Sequence, residues 1–305
     1  MPQPRLAERV IGLTYGVSVL QSGLSLAAMA PILTGVLAAA AFVWWELRCD
    51  DPALDLRIFR SPRFNAVVIA GAASNMVQGG SMMMVTFYLV VVRTQSTWAF
   101  TLLLIPATLL SAVAALCAGR AAARYGNCAV IVAGLAVLAV SLLARLSFEI
   151  DTPISVVGAV IALTTLGGAI VQTPQATVMM SSAPINLGGV VSAVKASVGG
   201  TFYGLGSAFF STFGILLFID DAGPKLAGTG ISARQAGDIL GASGASPGGA
   251  GLDPERTRQV LSVASSSMLD AANTLNLMMT VIPLAAIAVA LLLFRRERDA
   301  SSACC

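Results

Sequence analysis

The sequence predicts an all-α polytopic membrane protein of about eight transmembrane helices. Three observations carry this expectation. Hydrophobic residues make up 56% of the 305-residue chain and charged residues only 11%, where a soluble globular domain carries roughly a quarter charged residues. Uncharged runs of about 20 residues, the length that crosses a hydrocarbon core about 30 Å thick, recur along the chain. Arginines lie in short clusters between those runs, where membrane topology accounts for them. The formal net charge of +3 is therefore no argument for nucleic acid, and the lipid bilayer is the expected partner.

From Val10 to Trp45 no charge occurs. As one helix this stretch would be about 54 Å long, too long for a single crossing. The spacing predicts a hairpin over residues 1–46 with its turn at Gln21, Ser22 and Gly23, and with Trp44 and Trp45 at the interface. No cleavable signal peptide is evident at the start. A charged connector, 47–63, contains DPALDLRIFR. The third span, Asn65 to Val92, is expected to be interrupted at Gly79-Gly80. It carries Asn75 and Gln78, three residues apart and so on one helical face.

Thr97 to Ala118 forms the fourth span, with Pro106 marking a kink. GRAAARYGN reads as a short basic loop, Cys128 to Ala144 as the fifth span and LSFEIDTP as a turn. The sixth span, Ile154 to Pro174, is expected to be broken at its end by Gln172, Thr173 and Pro174. Gly188 to Phe218 is the seventh. Residues 220–270 form a long loop with helical pieces at ISARQAGDIL and PERTRQVLSVASSSML, separated by a flexible linker. Asn273 to Phe294, containing Pro283, is the eighth span. Residues 64–294 thus form a six-helix unit, and 295–305 a tail.

Orientation follows from the positive charges. With the amino terminus inside, the cytoplasmic segments hold Arg5, Arg9, Arg48, Arg57, Arg60, Arg63, Arg120, Arg124, Arg295, Arg296 and Arg298, and the short outside loops hold Arg93 and Arg145. The positive-inside rule then places both termini in the cytoplasm and the long loop outside. The expected location is the inner (plasma) membrane.

The seventh span has a distinctive pattern. Ser192, Ala196, Gly200, Gly204 and Ala208 recur every fourth residue, a stripe of small side chains that predicts close helix packing. Lys195 is the one cation in the run. It either snorkels to the interface or lines a transport path, because ionisable residues in membranes are functional candidates. Asn75 and Gln78 either line the path or join helices by ordinary hydrogen bonds. Met82, Met83 and Met84 read as packing or lipid-facing residues. Tyr203 is a candidate aromatic wall.

Enzymatic chemistry finds no support in this pattern. Histidine is absent, which removes the usual base for a serine or cysteine nucleophile. Cys49, Cys117, Cys128, Cys304 and Cys305 have no CxxC spacing, so free thiols are expected, with no metal site and no cofactor. GTGISA only faintly resembles a dinucleotide turn and no strand precedes it. The proposed spans also contain no aspartate or glutamate, the groups that normally carry protons across membranes.

Several segments together resemble the fourteen-helix drug:proton antiporters of the major facilitator superfamily. DPALDLRIFRSPRF is similar to the connector before that family's seventh core helix, and GRAAARYG to its cytoplasmic loop motif. LGGAIVQTP and GGVVSAVKASVGGTFYGLG resemble its tenth and eleventh core helices. The resemblance implies that residues 1–46 are the family's extra helical pair and that 64–294 are its carboxy-terminal half. It further implies proton-coupled efflux of small lipophilic or cationic substrates by a transporter whose other wall is a missing amino-terminal half or a second subunit. Gly119, Arg120, Arg124 and Gly126 match the loop motif, while Ala123 stands where the family commonly has aspartate. Anchored at Gly189, the alignment puts Lys195 at a membrane-carboxylate position; anchored at Tyr203 and Gly206, those positions become Gly199 and Gly200. Two other readings use the same helices: a non-transporting membrane interaction protein or inactive remnant, and a transporter of another small molecule.

Overall fold

Long runs that are apolar on all sides close their backbone hydrogen bonds internally as helices, the arrangement that lipid demands. The computed structural model describes residues 62–92, 97–149, 151–181, 188–227, 232, 235–236 and 254–302. The hairpin expected over 1–46, and the connector as far as residue 61, lie outside the described residues.

The described residues form six long helices in order: α1 (Pro62–Thr86), α2 (Thr97–Tyr125), α3 (Asn127–Arg145), α4 (Ile154–Ser181), α5 (Gly188–Lys225) and α6 (Pro254–Ser302). A π-helical stretch, Phe87–Val92, extends α1. No strand occurs among the described residues. Among the described residues five stretches are long and apolar enough to cross a membrane: Thr101–Tyr125, Asn127–Arg145, Ile154–Ser181, Val191–Lys225 and Gln259–Leu293. α1 is not among them, since Asn65, Asn75, Gln78 and its glycines dilute its hydropathy.

α1 is the packing centre, in contact with α4, α5 and α6. The main core joins Phe64, Val67 and Val77 of α1 to Leu135 and Leu138 of α3, Val171 of α4, Phe210 of α5, and Leu275 and Met279 of α6. α2 leans chiefly on α4. Most of its surface is open, with Leu109 65% exposed.

Several boundaries differ from expectation. Gly79-Gly80 does not interrupt α1; a Cβ at Gly79 would run into the Tyr203 carbonyl group, its carbon 2.9 Å away. The basic loop GRAAARYGN is almost entirely helical. α2 runs through it to Tyr125, and one residue, Gly126 at φ 87° and ψ 154°, separates it from α3. That conformation is essentially restricted to glycine. Pro174 lies inside α4, which continues to Ser181 rather than ending there. Such prolines persist in membrane helices because neighbours re-satisfy the freed backbone group.

The expected loop 220–270 is much shorter. α5 continues through Asp220 and Asp221 to Lys225, and PERTRQVLSVASSSML is continuous with the last span in a single helix of 49 residues. These extensions pack on each other through Phe218, Ala222, Val260, Ala264 and Met268. Lys225 bonds Asp221 at 2.6 Å and Asp270 at 3.4 Å. Of ISARQAGDIL only Ser232, Gln235 and Ala236 are described, with Ala236 buried in the same cluster.

The small-residue stripe on α5 is displaced from the contact seen here. Ser192, Ala196 and Gly200 are exposed, Gly204 is half-buried and Ala208 is buried. A Cβ at Gly200 would meet nothing within 4 Å. The close approach to α1 falls instead at Gly206, where a Cβ would meet the Met76 carbonyl group, its carbon 2.8 Å away. Four-residue spacing names a face of the helix but not which neighbour covers it.

Candidate functional site

α1, α2, α4 and α5 border an open cleft of about 750 Å³. Gln78 and Lys195 both line it, joined by Ser111, Thr165, Gln172 and Thr173. The helical spacing of Gln172 and Thr173 on the continued α4 presents them to this cleft, so the residues expected to end that helix form part of the wall. The two candidate amides of α1, Asn75 and Gln78, bond to their own helix. Asn75 Nδ2 donates to Gly71 O at 2.7 Å, and Gln78 Nε2 to Ser74 Oγ at 3.3 Å. Asn75 faces α5 at Gly199, where a Cβ would lie 3.6 Å from its amide. The structure therefore brings Gln78 and Lys195 to one cavity and leaves Asn75 at a helix contact. Tyr203, the fourth candidate, lines a separate pocket with Gln78.

That second pocket, about 140 Å³, is bordered by Arg145, whose place at the end of a span predicts an outside loop. Arg145 is the last residue of α3 and is only 3% exposed. Its guanidinium turns into the bundle. Nη2 donates to Thr164 Oγ1 at 2.8 Å and Nη1 to the Ser81 carbonyl at 3.4 Å. Thr164 in turn bonds Val160 O at 3.0 Å and Ser141 Oγ at 3.1 Å. Arg145 Nε has no hydrogen-bond partner, and neither has the buried Ser81 Oγ. The ion pairs among the described residues are those of Lys225, so no described carboxylate lies within salt-bridge distance of Arg145.

On its other side Arg145 borders a small cavity of about 20 Å³ with Tyr88, Phe148, Asn273 and Asn276. Oδ1 of Asn273 and of Asn276 is buried without a partner. Tyr88 donates to Glu149 O at 2.6 Å and its ring packs on Phe148, which closes this end of the bundle. Arg145 escaped the sequence reading because a cation at a span's end looks the same whether it snorkels outward or folds inward. The available signal was the hydroxyl set Ser81, Ser141 and Thr164, each on an apolar helix.

Comparison with known proteins places this bundle. No protein-family model matches the sequence. Over 173 residues, 57% of the chain, it is 28% identical to the multidrug efflux pump LfrA of Mycolicibacterium smegmatis, of which that match covers 34%. Over 173 residues, 56% of the chain, it is 30% identical to the tetracenomycin C resistance and export protein of Streptomyces glaucescens, covering 32% of it. A further match, at 25% identity over 164 residues, is the MFS-type transporter YhcA of Bacillus subtilis. Over about half its length the chain is similar to named drug exporters and to an MFS-type transporter.

It spans about a third of the length of these curated relatives. The fold agrees. A bacterial homologue of the human lysosomal transporter Spinster, inward-facing and occupied, superposes with a TM-score of 0.54 at 14% identity, covering 94% of this chain and 64% of that one. Within this transporter fold the loop-motif residues take a definite form. Gly119 faces Thr173 of α4, whose Cγ2 would lie 3.8 Å from an added Cβ. Arg120 and Arg124 are exposed, Arg124 standing 5.4 Å over the Tyr125 ring, and Gly126 is the break between α2 and α3.

Proposed function

We propose that this chain supplies one wall of a proton-coupled multidrug exporter, as the linker pair and carboxy-terminal six helices of a fourteen-helix antiporter. The observation that carries the reading is the open cleft of about 750 Å³ in a chain whose relatives are named drug exporters. That volume lies within the range of small-molecule sites. Gln78, Gln172, Thr173 and Lys195 provide its polar groups, and the apolar faces beside it suit a lipophilic guest.

In this reading the bundle sits in the inner (plasma) membrane with both termini cytoplasmic. It rocks against a second bundle, an amino-terminal half or another subunit, to expose the cleft to each side in turn. Among the described residues the cleft has no carboxylate on its walls, so in this reading the proton-carrying acid comes from the opposing bundle. Lys195 repels a cationic substrate from this wall and directs its charge toward that acid.

Two measurements test the proposal. In a background without native cysteines, Ala176→Cys in the cleft is expected to react with a water-soluble maleimide in membranes. Ethidium should slow that reaction several-fold, while lipid-exposed Val113→Cys stays inert. Equal labelling with and without ethidium refutes a substrate path and leaves a membrane interaction protein. Proteoliposomes of this chain alone should show no transport of ethidium driven by a pH gradient. Uncoupler-sensitive transport by the single bundle would refute the need for a second wall.

A further inference from the structure

We infer that the pocket bordered by Arg145 is a binding site for a small amphipathic monocarboxylate, adjoining the open cleft through Gln78 and Thr165. Its polar end holds two incompletely satisfied donors, Arg145 and Ser81. Arg145 carries a full positive charge with five N–H groups, and its bonds to Ser81 and Thr164 go to neutral oxygens. Ser81 adds a buried hydroxyl with no partner in the bundle. Both residues are 3% exposed, so neither is satisfied by bulk water.

An unpaired charge in this setting costs several kcal/mol, and a carboxylate accepting from a guanidinium is the strongest common remedy. The apolar wall is supplied by Met82, Val85, Leu104 and Ile161, while Gln78, Thr164, Thr165 and Tyr203 complete the lining. The volume of about 140 Å³ is close to that of a protein cavity known to take benzene, roughly 150 Å³. One benzene-sized apolar body bearing one carboxylate matches both halves of the pocket. A cation of the same size meets a buried like charge and is excluded. This inference stands on the pocket and does not depend on the exporter reading; its test needs no transport.

The test uses 4-fluorobenzoate and the purified full chain in detergent, read by fluorine NMR line broadening and by thermal unfolding. Saturable millimolar binding and a rise in Tm are expected. Fluorobenzylamine, with the same ring and the opposite charge, should do neither. Arg145→Gln is expected to weaken binding about tenfold or more. Arg124→Gln, which removes the same charge from an exposed site, should leave it unchanged. Because Arg145→Gln can affect folding, Ser81→Ala provides a second reading, with an expected loss of about threefold to tenfold and an unaltered helical spectrum. Binding that survives both pocket changes, equal binding of the amine, or no saturable binding by the wild-type chain overturns the assignment. If that happens while ethidium still protects Ala176→Cys, this site alone is refuted and the exporter reading stands.

Discussion

Replacing Gly79 with alanine probes the contact on which the bundle is built. A Cβ there would run into the Tyr203 carbonyl group, with the carbonyl carbon at 2.9 Å and Cα at 3.1 Å. Those atoms are backbone in the middle of α5, so no flexible side chain can yield, and α1 must move away from α5. Overpacking of this kind costs about 1 to 3 kcal/mol, against a helix-propensity gain of about 1 kcal/mol for glycine to alanine. With backbone as the obstacle the upper part of that range applies, for a net loss of about 1 to 2 kcal/mol. Gly206→Ala meets the Met76 carbonyl group from the other side and should lose a similar amount. Gly200→Ala has the opposite sign. Nothing lies within 4 Å of its added Cβ, so only the propensity gain of about 0.5 to 1 kcal/mol remains. Unfolding by SDS in mixed micelles, followed by far-ultraviolet circular dichroism, measures all three. If Gly79→Ala and Gly206→Ala were as stable as the parent while Gly200→Ala was destabilised, the contact would lie on the face marked by the four-residue spacing, and the packing described here would be wrong.

Other residues give further expected outcomes. Gly126→Ala should cost about 1 to 3 kcal/mol in the same assay although nothing lies within 4 Å of the new Cβ. Gly126→Asn should not recover it, because ψ of 154° lies outside the left-handed helical region that asparagine tolerates. Thr164→Val leaves the Arg145 guanidinium without its 2.8 Å partner and should destabilise by about 1 to 3 kcal/mol. Adding Arg145→Met should remove most of that loss, since the buried charge goes with it; a double-mutant cycle that shows simple additivity would refute the pairing. Ser265→Pro falls within the continuous helix Pro254–Ser302 and should cost about 3 kcal/mol or more. A flexible loop at that position would tolerate it, so wild-type stability would show that α6 is not continuous there.

Residue composition alone was enough to predict a helical membrane bundle, because lipid leaves a chain of this hydropathy few alternatives. The fifth span is the clearest case. Its limits differ from α3 by one residue at each end, since Gly126 and the polar turn after Arg145 punctuate it sharply. The likeness to drug exporters was also legible, through several local motifs that recur together. Helix ends flanked by other helix formers were not. Pro174 and the GRAAARYGN segment carry breaking or charged residues, yet α4 and α2 continue through them, because neighbouring helices and interfacial water satisfy what a proline or an arginine disturbs. The same limit applied to residues 254–270, whose helical spacing and polarity indicated a helical piece within the outside loop although their apolar positions fit the extension of α5.

The choice among equivalent faces belongs to tertiary structure. A four-residue repeat from Ser192 to Ala208 and the single glycine Gly206 are both consistent with close packing in one dimension. Only the position of α1 decides that Gly206 receives the Met76 carbonyl. Arg145 obeys the same rule. Its charge and its place at a span's end are visible in the sequence, but its direction depends on Ser81 and Thr164, which are 64 and 19 residues away. Whether a long side chain reaches water or turns inward is settled by which acceptors the neighbouring helices place within about 3 Å of it, and that is a property of the assembled bundle.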